Sequence, residues 1–141
     1  MHSVSDDDLA FLASFESCAI APSAFHHREH VRLAYIYLCD GDVIEAHRRL
    51  RASLLAFLAH NGVDAAKYHE TITRAWILAV DHFMERAEPA SPSVSFDGFI
   101  AGNPRLLDTG IMLTHYTKAR LFSDDARAAF VEPDLDPIPR R

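Results

Sequence analysis

Two cysteines in 141 residues are too few for a disulfide scaffold, and Cys18 and Cys39 lack the CxxC spacing of a zinc or redox motif. Both fall within apolar helical patterns, so they are read as buried free thiols, consistent with a reducing cytosol. No stretch approaches the ~20 apolar residues of a membrane span. Ser5 followed by Asp6, Asp7 and Asp8 is also unlike a secretory signal, which needs a basic start and then an apolar run. Positive charge is short as well: 14 Lys and Arg against 20 Asp and Glu give a net charge of −6. Nucleic acid and membrane surfaces would repel such a chain, and neither is expected as a partner. There is no GxSxG elbow, GxxxxGK[ST] loop or GxGxxG turn, which removes the common nucleophile and phosphate-cradle motifs. The expectation is a soluble cytoplasmic protein.

What is present is ordinary globular composition, 49% hydrophobic and 24% charged, enough for one core without disulfide or metal staples. Ser5 and the aspartates behind it open a first helix over residues 6–18. A second covers residues 26–40, with Val31, Ala34, Tyr35 and Leu38 on one stripe and Gly41 as a left-handed stop. Asp42 caps a third, which carries Val43, Ala46, Leu50, Leu54, Phe57 and Leu58 and ends at Asn61-Gly62. A fourth runs over residues 65–86 with Ile72, Trp76, Ala79, Val80 and Phe83 inward. After a Ser/Pro-rich loop, Phe96, Phe99 and Ile100 mark a short helix. Pro104 opens another, holding Leu106, Leu107, Ile111, Met112 and His115, and Ser123 caps a last one. Prolines 133, 137 and 139 keep the tail extended, with Asp134 and Asp136 pinning it to the body, through an arginine in the simplest case. No strand alternation is visible. The fold class is therefore all-α: a single domain, a bundle of four to six helices with an extended Pro-rich C-terminal tail.

Histidine is the residue type in surplus, nine in all. In Phe25-His26-His27-Arg28-Glu29-His30, His26 and His30 stand four apart on one helical face, a spacing at which two imidazoles can share a metal. In Tyr68-His69-Glu70-Thr71-Ile72-Thr73-Arg74-Ala75-Trp76, His69 lies over Ile72, Thr73 and Trp76, while Glu70 and Arg74 form an i,i+4 surface pair. Thr114-His115-Tyr116 is a third candidate, if the last third folds over the bundle end. Short connections make the second, third and fourth helices successively antiparallel. The second and fourth then start at the same end, which gathers His26, His30, Tyr68 and His69. His47, His60 and His82 read as surface residues, and His2 as a terminal one. Arg48, Arg49 and Arg51 read as a solvated basic face.

The stretch from Phe25 to Ala34, the one from Tyr68 to Trp76 and the tail Pro133-Asp134-Leu135-Asp136-Pro137-Ile138-Pro139 together resemble small bacterial all-helical proteins known only as uncharacterised. The resemblance spans residues 25–139. It implies a complete small protein, and no activity, cofactor or catalytic residue.

Two functional readings follow. In the first, a pocket at the common helix end binds a small molecule or performs histidine acid/base chemistry. His30 and His69 would act as catalytic groups, and Tyr68, Thr73, Trp76, His115 and Tyr116 would contact substrate. A metal in that pocket would take His26, His30, His69 and Glu70, a set suited to a divalent first-row ion. In the second, the bundle is a non-catalytic protein-protein interaction module, pairing with a partner or a second copy of itself through the arginine-bearing face.

Overall fold

The computed structural model describes residues 1–140. Among them there is no strand, and eight α-helices occur: α1 (Asp6–Glu16), α2 (His27–Cys39), α3 (Val43–His60), α4 (Glu70–Ala87), α5 (Phe96–Gly102), α6 (Met112–His115), α7 (Lys118–Leu121) and α8 (Asp124–Ala128). No helix among the described residues is long and apolar enough to cross a membrane.

Two helices form the centre. In α2, Val31 and residues 33–38 are all buried, so this helix is covered on every side, as a helix apolar around its circumference must be. In α4 the same holds for Thr71, Thr73, residues 75–81 and Met84. The third helix presents a narrower stripe, Ala46, Leu50 and Phe57, against them. Phe15 of α1 stacks on Phe57 and on Phe25, with ring centroids 5.0 Å away in each case.

Local chemistry sets most of the boundaries. Ser5 Oγ accepts from the Asp8 N–H at 3.1 Å and Asp8 Oδ2 accepts from the Ser5 N–H at 3.0 Å, a reciprocal cap for α1. The Asp8 carboxylate also receives the Phe96 N–H at 2.9 Å and Arg32 Nε at 3.0 Å, so one buried side chain joins α1, α2 and α5. Burial pushes its carboxyl up, but these hydrogen bonds outweigh that and hold it below the usual range. Asp42 and Ser123 cap α3 and α8 as expected. The left-handed stop is not Gly41: the one positive-φ glycine is Gly62, at φ 68° after α3. The second helix closes instead at Asp40, whose φ is −110°.

The fourth helix starts five residues later than residue 65. Asp64 accepts from the Ala66 N–H at 2.9 Å and commits Ala65–Lys67 to a 3-10 turn. Tyr68 and His69 then run extended before the helix opens at Glu70. The helix expected around Leu106 to His115 is also broken. Asp108 accepts from the Gly110 N–H at 2.9 Å and interrupts it, leaving two 3-10 turns, Pro104–Leu107 and Thr109–Ile111, before α6.

The tail returns along the body. Thr71 Oγ1, fully buried in α4, donates to Ala129 O at 2.9 Å and accepts from the Val131 N–H at 3.0 Å. Asp134 pins the tail through a threonine and not an arginine: it accepts from Thr117 N and Oγ1 at 2.9 and 2.7 Å. Asp136 contributes through its backbone, its carbonyl accepting from His115 Nδ1 at 2.7 Å. The two thiols are half-buried, not buried. Burial pushes Cys39 up to about 11.

Candidate functional site

The starts of α2 and α4 border one open cavity of about 340 Å³, at the lower end of the range for small-molecule sites. Its wall carries Phe25, His26, His27 and His30 from the start of α2, and Lys67, Tyr68, His69 and Thr73 from the approach to α4. Leu54, Phe57 and Leu58 of α3 close the apolar side. The helix count alone places the histidines here. The floor follows from the same reasoning carried one step further: an antiparallel α3 must bring its last turns to this end, and Leu54, Phe57 and Leu58 share a face by their i, i+3, i+4 spacing.

The histidines differ in what they have left to offer. His69 caps α4: Nδ1 accepts from the Ile72 N–H at 3.1 Å, and Nε2–H donates to the Leu121 carbonyl at 2.8 Å. These partners fix the neutral tautomer. Burial is the main cause that lowers its affinity for a proton. The ring cannot exchange a proton without breaking one of these two bonds. His27 Nε2–H donates to the Leu106 carbonyl at 2.9 Å, and its ring meets Trp76 edge-on at 4.4 Å. His26 is the exposed N-cap residue of α2, and its N–H donates to Glu29 Oε1 at 2.8 Å.

His30 stands apart. Its Nε2 is buried and has no hydrogen-bond partner, the sole such side-chain atom among the described residues. Burial, then the neighbouring His27, pushes its pKa down to about 4, so the ring is neutral at physiological pH. An unanswered buried polar atom costs about 1–3 kcal/mol.

Of the remaining expected residues, Tyr68 and Thr73 line the cavity, and Trp76 lies behind His27 outside the wall. His115 and Tyr116 do not reach it: His115 holds the tail, and Tyr116 Oη donates to Val131 O at 2.7 Å. Glu70 turns to another set of partners. Its Oε1 accepts from Tyr68 Oη at 2.9 Å and His47 Nε2 at 2.6 Å, and its Oε2 from Arg51 Nε at 3.2 Å. Burial pushes this carboxyl up, but Tyr68 and His47 outweigh it and leave it below its ordinary value. Arg74, the expected partner of Glu70, lies instead over the Phe130 ring at 4.6 Å.

With Glu70 so engaged and both nitrogens of His69 occupied, the expected metal set of His26, His30, His69 and Glu70 is not assembled. Among the described residues no group of three or more His, Cys, Asp or Glu side chains is placed to hold a metal ion. The surface reading of His47 also changes, and the terminal His2 turns inward. His47 is half-buried against Glu70, and His2 is buried, with Nε2–H donating to Met84 O at 2.6 Å. Arg48, Arg49 and Arg51 are paired one by one with Glu45, Asp40 and Glu70.

Two larger grooves exist. One, of about 870 Å³, lies between the α2–α3 turn and the C-terminal half of α4; the other, of about 660 Å³, lies beside α5. Neither holds a buried polar atom left without a partner. Comparison of the chain with family models, curated proteins and solved structures gives no match.

Proposed function

We propose that the protein binds a small molecule in the histidine cavity, with the molecule's apolar body against Phe25, Leu54, Phe57 and Leu58 and one hydrogen-bonding group toward His30. The observation that carries this reading is the unanswered Nε2 of a ring on the wall of a mostly apolar cavity. An apolar side facing convergent polar groups is a usual form of a ligand site. Binding is favoured over acid/base catalysis by magnitude. A ring with a pKa of about 4 is a weak base at neutral pH, where efficient general bases lie near 7. The interaction-module reading loses its main support, because each arginine of the α3 run already faces a carboxylate.

The test is an NMR titration with phenol and benzyl alcohol. Both should shift the His30, Leu54 and Phe57 side-chain resonances with roughly millimolar affinity, and Leu54→Trp, which fills the cavity, should abolish the effect. Shifts confined to the α5 groove, or none at all, would refute the proposal.

A further inference from the structure

From the character of the wall we infer that the molecule held in this cavity is a small organic anion, a monocarboxylate on an apolar body. This rests on the cavity being a ligand site, and it follows from which hydrogens remain free there.

Four of the wall's polar groups have committed theirs. Tyr68 Oη donates to Glu70 at 2.9 Å, Thr73 Oγ1 to the His69 carbonyl at 2.8 Å, and His69 Nε2 to the Leu121 carbonyl at 2.8 Å. His27 has spent its Nε2–H on Leu106. The groups left to meet a ligand are the Lys67 ammonium, the His30 ring and the His26 nitrogen that does not cap α2, each able to donate a hydrogen bond. No carboxylate lines the cavity, although the chain as a whole carries a net charge of −6. The nearest acids in sequence point elsewhere: Glu29 accepts from the His26 N–H, and Glu70 is bound by Tyr68, His47 and Arg51.

The surroundings add positive potential. Arg127 Nη1 lies 3.4 Å from the carbonyl of Lys67, and both α2 and α4 begin at the cavity, presenting the positive ends of their dipoles. The α3 side supplies only Leu54, Phe57 and Leu58. A bare inorganic anion would leave that surface unmatched, whereas an aromatic or alicyclic carboxylate fits both halves. His30 is neutral at physiological pH, and an anion beside it favours the protonated ring. The groups facing it from the packed elements are His26, His27, Lys67, Tyr68 and His69, none of them acidic at neutral pH.

Benzoate and benzamide, nearly equal in shape and different in charge, separate the possibilities in calorimetric and NMR titrations of the full chain. Benzoate should bind about tenfold more tightly, with heats that depend on the buffer at about pH 5, where the anion draws a proton onto His30. Lys67→Met, at an exposed position where folding is not at risk, should remove most of that preference by weakening benzoate far more than benzamide. His30→Phe should abolish the buffer dependence. Equal affinity for both probes, or a benzoate preference that survives both substitutions, would overturn the anion assignment while leaving the cavity as a ligand site. If neither these probes nor the neutral alcohols perturb the cavity, both readings fall.

Discussion

Replacing His30 by phenylalanine should make the protein resistant to mild acid, by an amount the structure sets. In the fold His30 titrates at about 4, against an ordinary value of 6.5. The unfolded chain therefore binds the proton more tightly. The stability His30 contributes by staying neutral is fully present above 6.5 and is lost as pH falls toward 4. The whole gap is worth about 3 kcal/mol, and about 2.5 kcal/mol of it is gone by about pH 4.5. Phenylalanine keeps a flat ring, somewhat larger than the imidazole, and discards an Nε2 that makes no hydrogen bond in the fold; the two effects oppose, so at about pH 7.5 the variant should lie within about 1 kcal/mol of the parent. Urea unfolding of both proteins at the two pH values measures the difference. Acid effects from Asp8 and the other carboxylates occur in both and cancel. The stability gap in favour of the variant should widen by about 2.5 kcal/mol on acidification. Parallel losses in the two proteins would show that the ring accepts a proton in the fold without penalty, and the reasoning from its buried nitrogen would fail.

Three further outcomes are expected. His69→Ala should cost about 3 kcal/mol, combining a lost helix cap with an unanswered Leu121 carbonyl, and His69→Asn should recover about 1 kcal/mol by restoring the cap; equal urea midpoints for the two variants would remove the capping role. Asp8→Asn should destabilise by about 3 kcal/mol, since an amide cannot balance Arg32 or accept all three of its present bonds; a thermal melt showing less than about 1 kcal/mol would mean that the junction is not central to stability. Thr71→Val should speed hydrogen exchange at the Val131 amide by about tenfold or more while α2 stays protected; unchanged exchange at Val131 would show that the tail is held by other contacts.

The parts of this fold that were readable from the sequence are those decided within a few residues. Ser5, Asp42 and Ser123 cap their helices because a short side-chain oxygen meets an N–H two or three positions on, and no distant residue is needed. The common end of α2 and α4 was equally legible, since it depends on the number of helices and the shortness of their connections. Spacing alone starts α4 too early, because a helical stripe continues through Ala65–Lys67 while the Asp64 turn and the His69 cap decide the geometry. His69 itself looked like an inward catalytic group because the periodicity reports its direction and not its partner. Leu121, 52 residues away, is what uses up its second nitrogen. Glu70 shows the same limit: Arg74 is the neighbour by spacing, but α3 brings His47 and Arg51 closer.

Four rings, those of His2, His27, His69 and His115, donate to carbonyl groups that lie 82, 79, 52 and 21 residues away in the chain. Viewed as a sequence of events during synthesis, this staggers completion of the molecule. The helices α2, α3 and α4 can pack once Ala87 has left the ribosome, but the nitrogens of His27 and His69 wait for Leu106 and Leu121. Until then the beginnings of both central helices lack those two hydrogen bonds. The wall of the cavity, drawn wholly from residues 25–73, is thus made early, and the hydrogen bonds that fix two of its rings come late.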